Sequence, residues 1–163
     1  TSYLSVIKPK GEFSEIGGLI AIDAKNPKNS SIKIIIKTNS IKTGFTIFDK
    51  LLIGKGFFDA EKNPTISFTS SNIEVTNQDD VVIDGVLQLH GTKKDITIKG
   101  KIKQTGNLIS AKIQGDHIVN FSSKIAIKRS DFHMDFAMSG ISDNVEIYIN
   151  IEASLISKDK TKL

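Results

Sequence analysis

Apolar and polar residues alternate with a period of two along most of this chain. From Val145 the apolar set runs Val145, Ile147, Ile149, Ile151, Ala153 and Leu155, with Glu146, Tyr148, Asn150, Glu152 and Ser154 between them. Such alternation describes a long strand with one apolar and one wet face. The same rhythm puts Val119, Phe121, Ser123, Ile125 and Ile127 on one face of a second strand, and Ile96, Ile98, Gly100 and Ile102 on one face of a third. Residues 32–37 are Ile on one face and mostly Lys on the other, apart from Ile35. Further strands are predicted at about 12–23, 64–76, 81–90 and 108–115.

Along 64–76 the phase slips: Ile66 and Phe68 share one parity, Ile73 and Val75 the other. A one-residue slip would turn the apolar face outward, so a bulge or sharp bend is predicted near Ser70 to Asn72. Pro64 holds Asn63 extended and launches the strand that follows. Turn residues gather at Asn26 to Asn29, Asn77 to Asp80, His90 to Lys93 and Thr105 to Asn107. Two stretches break the β rhythm. Ile47, Phe48, Leu51 and Leu52 fall at helical spacing, which predicts a helix over 46–53 with Thr46 as its cap. Phe132, Met134, Phe136 and Met138 crowd the connection between two long strands.

These elements predict an all-β, antiparallel chain with one short helix, folded as a single domain over 1–163. One-sided strands need closure or a second layer. A sheet of about eight strands can close into a barrel that holds one apolar ligand. A β-sandwich with a filled core is the alternative.

Composition sharpens the β reading. Phe supplies nine of the aromatic residues, Tyr two and Trp none, and Ile dominates the aliphatic set. β-Branched Ile suits a pleated surface better than a helix. The net charge of +4 is spread as single Lys residues between apolar ones, the pattern of solvated strand faces rather than a basic stripe for nucleic acid. No run of about 18 apolar residues is present to span a membrane as a helix. No leader segment is evident, and the start at Thr1 suggests a mature or trimmed product.

Candidate chemistry is sparse. The chain has no cysteine, which removes disulfides and thiolate ligands or nucleophiles. His90, His117 and His133 lack metal-ligand spacing, and His133 between Asp131 and Asp135 is the one local cluster. A solvated loop histidine is the simpler reading of it. No G-x-S-x-G element occurs and no phosphate loop follows Gly54 and Gly56. Enzymatic activity and a cofactor are therefore not expected. Phe45, Phe48, Leu51, Leu52, Phe57, Phe58 and Phe68 form the densest apolar set, which by itself reads as core.

The order of several landmarks resembles the YceI-like family of lipocalin-like polyisoprenoid-binding proteins. Gly11, Phe13, Ile16 and Gly18 are similar to its early G-x-F strand. Asp49 leads to Phe57-Phe58-Asp59 and then Pro64, Ile66, Phe68 and Ser70, the central signature. Gly85, Leu87, Gly91 and Lys94 match its glycine turn, and Arg129 to Phe132 followed by Ile141 to Ile147 matches its closing segment. Phe48 stands where the family usually has Arg, and His133 where it has Gly. The family's opening strand has no counterpart before Gly11.

The resemblance implies a barrel that binds a long isoprenoid lipid, a quinone or polyprenyl precursor, without catalysis, in a periplasmic or secreted setting. It places Phe45, Phe48, Leu51, Leu52, Phe57, Phe58, Phe68 and Phe121 along an apolar pocket, with Phe132, Met134, Phe136 and Met138 near an opening. A lipid-modifying enzyme would instead need His133, Asp131 or Asp135 to face the pocket. Arg129 and Asp131 are expected to be structural, Arg129 pointing away from the pocket to a carboxylate. The early start predicts that a neighbour's strand in a homodimer, a shifted C-terminal strand or residues beyond this chain cover a gap.

Overall fold

The computed structural model describes residues 10–21, 23, 26–77, 79–105 and 117–155. The strand expected at 108–115, the turn after Thr105 and the opening residues that bear on the gap lie outside this set.

In chain order the elements are β1 (Glu12–Phe13), β2 (Ile16–Ala21), β3 (Ser31–Lys37), β4 (Ile41–Lys42), α1 (Thr46–Ile53), β5 (Thr65–Val75), β6 (Asp80–Leu89), β7 (Thr92–Thr105), β8 (His117–Lys128) and β9 (Asn144–Leu155). Every strand pairing is antiparallel. β1 pairs with β4, and the other seven form one curled sheet in the order β2-β3-β5-β6-β7-β8-β9, a half-barrel. The filled sandwich is not what forms, because a single continuous sheet curls over its own apolar face.

The register explains the curl. Ile34 faces Phe68 and Phe68 faces Leu87, then the ladder shifts between Ser70 and Asn72. Past the shift Ile73 faces Ile83, so the parity change at the bulge keeps both halves of β5 apolar on the same side. The β6–β7 connection is a two-residue turn, His90-Gly91, with φ of 50° and 74°. Positive φ at both residues matches the right-handed twist of the flanking strands.

Ile66, Phe68, Ile73, Val81, Ile83, Leu87, Leu89 and Ile98 form one buried cluster, and Phe132 and Met134 sit on it from the β8–β9 connection. Helix α1 forms where predicted, with a different cap. Phe45 occupies the cap position and its side chain makes no capping bond. Asp49 reaches back instead, its Oδ1 accepting from Thr43 N at 2.7 Å and Thr43 Oγ1 at 2.6 Å. These bonds, with Lys42 nearby, hold the Asp49 carboxyl below its ordinary pKa against a smaller opposing effect of desolvation.

Candidate functional site

The concave face of the sheet is the candidate site. Away from the strand ends, its inward positions are aliphatic, Phe, Gly or Ser. Ile20 faces Ile32 on the first pair of strands, and Ile83 faces Ile98 in the middle. Phe121 faces Ile151, Ser123 faces Ile149 and Ile125 faces Ile147 at the far side. The two inward serines are turned into the backbone: Ser70 Oγ accepts from Ile32 N at 2.9 Å, and Ser123 Oγ donates to Lys99 O at 2.7 Å. Lys94 shares the inward register, facing Leu87, and is exposed near the β6–β7 turn. Away from the strand ends, the described residues of this face offer dispersion and hydrophobic contact and no directed acid, base or nucleophile.

Cover over this face is uneven. Ile66, Ile73, Val81 and Ile83 are between 1% and 6% exposed. Phe121, Ile125, Ile127, Val145, Ile147, Ile149 and Ile151 are only half-buried. The sheet thus has a closed half around β5–β7 and a more open half around β8–β9.

The plug formed by Phe132 and Met134 hangs on Arg129. This residue continues the inward parity of β8 and is 5% exposed, not turned outward as expected, and its partners are not carboxylates. Its Nε donates to Ser142 O, its Nη1 to Met134 O and Phe136 O, and its Nη2 to Ile141 O and to Met138 Sδ, at 2.9–3.2 Å. A planar five-donor fork suits several carbonyls at once, so one side chain gathers residues 134–142 into a fixed loop. The guanidinium also stacks over Phe57, 5.7 Å from the ring centroid. Asp131 is exposed. The carboxylate that pins this turn is Asp143, which accepts from Ser130 N at 2.8 Å and Ser130 Oγ at 2.9 Å. Those bonds, led by the backbone one, lower the Asp143 pKa, with Lys128 and Arg129 adding attraction and desolvation opposing.

The predicted site residues separate into groups. Phe68 and Phe121 lie on the concave face. Phe132 and Met134 form the plug, and half-buried Phe58 packs against the same cluster and edge-on to Phe13. Phe57 is buried between Arg129 and Phe136, apart from the main cluster. Phe48 and Leu52 are half-buried on α1. Phe45 and Leu51 are 73% and 43% exposed, and Phe136 and Met138 are exposed at the outer rim of the plug. The structure therefore does not bring Phe45 and Leu51 into the interior set.

Sequence reading missed two contributors. His90, expected only to lie in a turn, meets Phe132 O through Nδ1 at 2.9 Å. A carbonyl only accepts, so Nδ1 carries the proton, and the hairpin turn is tied to the plug. The aliphatic residues of β8 and β9 that complete the concave face were expected as cavity lining from strand parity but were not singled out as site residues. His133 is exposed, and no group of three or more potential metal ligands occurs among the described residues.

A curled antiparallel half-barrel with an apolar concave face and a single helix belongs to the lipocalin-like class of architectures. The chain belongs to the YceI-like domain family, whose model matches residues 2–153. It is 32% identical over 142 residues to a UPF0312 protein of Pseudomonas paraeruginosa, covering 87% of this chain and 72% of that one. In structure it is similar to a YCEI protein of Campylobacter jejuni, with a TM-score of 0.83, 26% identity, and 96% and 91% of the two chains covered. A more distant likeness, at TM-score 0.62 and 15% identity over 89% and 85% of the chains, is to a polyisoprenoid binding domain from Saccharophagus degradans implicated in plant cell wall breakdown. Among the described residues no helix is long and apolar enough to cross a membrane.

Proposed function

We propose that this protein binds a long isoprenoid lipid on its concave face and carries or buffers it without chemical change. The observation that carries the reading is the continuous apolar inward register of seven strands, left half-buried across β8–β9. Family membership and the fold shared with a polyisoprenoid binding domain support it. A polyprenyl tail is almost wholly hydrocarbon, and each buried CH₂ is worth about 0.8 kcal/mol. At roughly 0.3 kcal/mol per heavy atom, a tail of about 40 carbons gains on the order of 12 kcal/mol, enough for tight binding without a polar anchor.

An isoprenoid quinone or polyprenyl precursor fits this chemistry, and we place the activity in a periplasmic or secreted setting. Among the described residues β2 and β9 each border the sheet. A homodimer joined along such an edge is part of the proposal, to be checked by light scattering. Native mass spectrometry of the purified protein, with organic extraction of whatever co-purifies, tests the main reading. A bound polyprenyl lipid is the expected result. Protein that carries no lipid and takes up none from geranylgeraniol dispersions would overturn it.

A further inference from the structure

A phenyl ring and a glycine are paired twice on the concave face, with the same offset each time. Two residues after Phe68 comes Ser70, which faces Gly85 across the ladder; two after Phe121 comes Ser123, which faces Gly100. A Cβ added to Gly85 would lie 2.6 Å from Phe68 Cζ, and one added to Gly100 would lie 2.4 Å from Phe121 Cε2. Each ring therefore occupies the space that a side chain on the neighbouring strand would take. It lies across that strand, whereas a strand side chain ordinarily stands away from the sheet. The facing serines keep both slots shallow and turn their hydroxyls into the backbone. The two units differ in cover. Phe68 is 8% exposed within the plugged cluster, whereas Phe121 is half-buried, with Ile151 directly opposite.

We infer that the Phe121–Gly100 pair is a specificity gauge: the laid-down ring sets the depth of the open half and favours a methyl-branched chain over a straight one. The inference rests on the lipid-binding reading above and names the feature of the lipid that this face measures. A branched chain is thicker than a polymethylene chain, so it fills the deeper channel above a flat ring and meets more wall atoms. An upright ring would obstruct the branched chain first. A single methyl group of misfit in an apolar site changes affinity about tenfold or more.

Competition between geranylgeraniol and the straight-chain alcohol of equal carbon number, read by native mass spectrometry on the full chain, tests the gauge. The wild type should prefer geranylgeraniol. Gly100→Ala, which forces the ring up, should weaken geranylgeraniol about tenfold and the straight alcohol less than about threefold. The added methyl would also meet Ser122 O at 2.7 Å, so folding of this variant is to be checked by a thermal melt. Phe121→Leu adds nothing at position 100, and it should bring the two affinities to within about twofold of each other. Gly85→Ala, in the closed half beside Phe68, should lower the melting temperature and leave the preference unchanged. A wild type that binds neither alcohol overturns the lipid-binding reading and the gauge together. A wild type that binds both, with a preference that Phe121→Leu does not move or that Gly85→Ala moves as far as Gly100→Ala does, overturns the gauge alone.

Discussion

The closed and open halves of the sheet are written in the same alternation of aliphatic and polar residues, yet they reach different states. Val81 and Ile83 are 1% and 3% exposed, whereas Ile147 and Ile149 on the same concave surface stay half-buried. The strands themselves do not account for this. Val81 and Ile83 belong to one buried cluster that Phe132 and Met134 join, and Arg129 and His90 hold that pair. An amphipathic strand specifies that a face must be covered; it does not specify by what. In the closed half the chain covers itself. In the open half we propose that a lipid completes the cover.

The comparison breaks most sharply if the plug is removed. Phe132→Ala should cost about 3–5 kcal/mol in urea denaturation, the usual range for a fully buried ring. A loss below about 1 kcal/mol would mean that the closed half does not depend on its plug. Arg129→Lys comes next, at about 2–3 kcal/mol, because an ammonium cannot reach the carbonyls that the fork joins. This variant should also raise hydrogen exchange across residues 134–142, and unaltered exchange there would refute the gathering role.

A matched pair sharpens the contrast. Ile83→Val should cost about 1 kcal/mol and Ile147→Val about half of that in the lipid-free protein. Saturating geranylgeraniol should narrow the gap, since its contacts with Ile147 would then be lost too. A gap that lipid leaves unchanged would place the ligand elsewhere.

The smallest effect concerns pH. Asp143 is held at a lowered pKa in the folded state, so its contribution is present above the ordinary carboxylate value. It fades as pH falls below about 4 through the folded value. The wild type should lose part of its thermal stability in that window, and Asp143→Asn should flatten the loss while being less stable at neutral pH. A variant with the wild-type acid limb would assign that limb to other carboxylates.

Most of the strands were legible because period-two alternation is a local property. The slip between Phe68 and Ile73 even located the bulge, since only a bulge reconciles that pattern with one apolar side. Helix 46–53 was legible for the same reason, but its cap was not. Thr46 has the right chemistry for a cap, whereas the bonds are made by Asp49 and Thr43 in a geometry set by how the segment leaves β4. Arg129 was misjudged more seriously. Its parity was read as outward, whereas it continues the inward set of Ile125 and Ile127, and the carbonyls that satisfy it come from a loop with no periodic pattern.

The sequence by itself determined that this is an antiparallel all-β chain of one-sided strands with a single helix, and its landmarks determined the family. Both follow from short-range patterns of side-chain type. Only the tertiary structure decided which half of the concave face is plugged, which aromatic residues leave the interior for the rim, and that two phenyl rings lie over glycines on neighbouring strands. Those outcomes depend on contacts between residues far apart in the chain. Phe121 and Gly100 are ordinary strand residues until the β7–β8 register brings them within one ring's width.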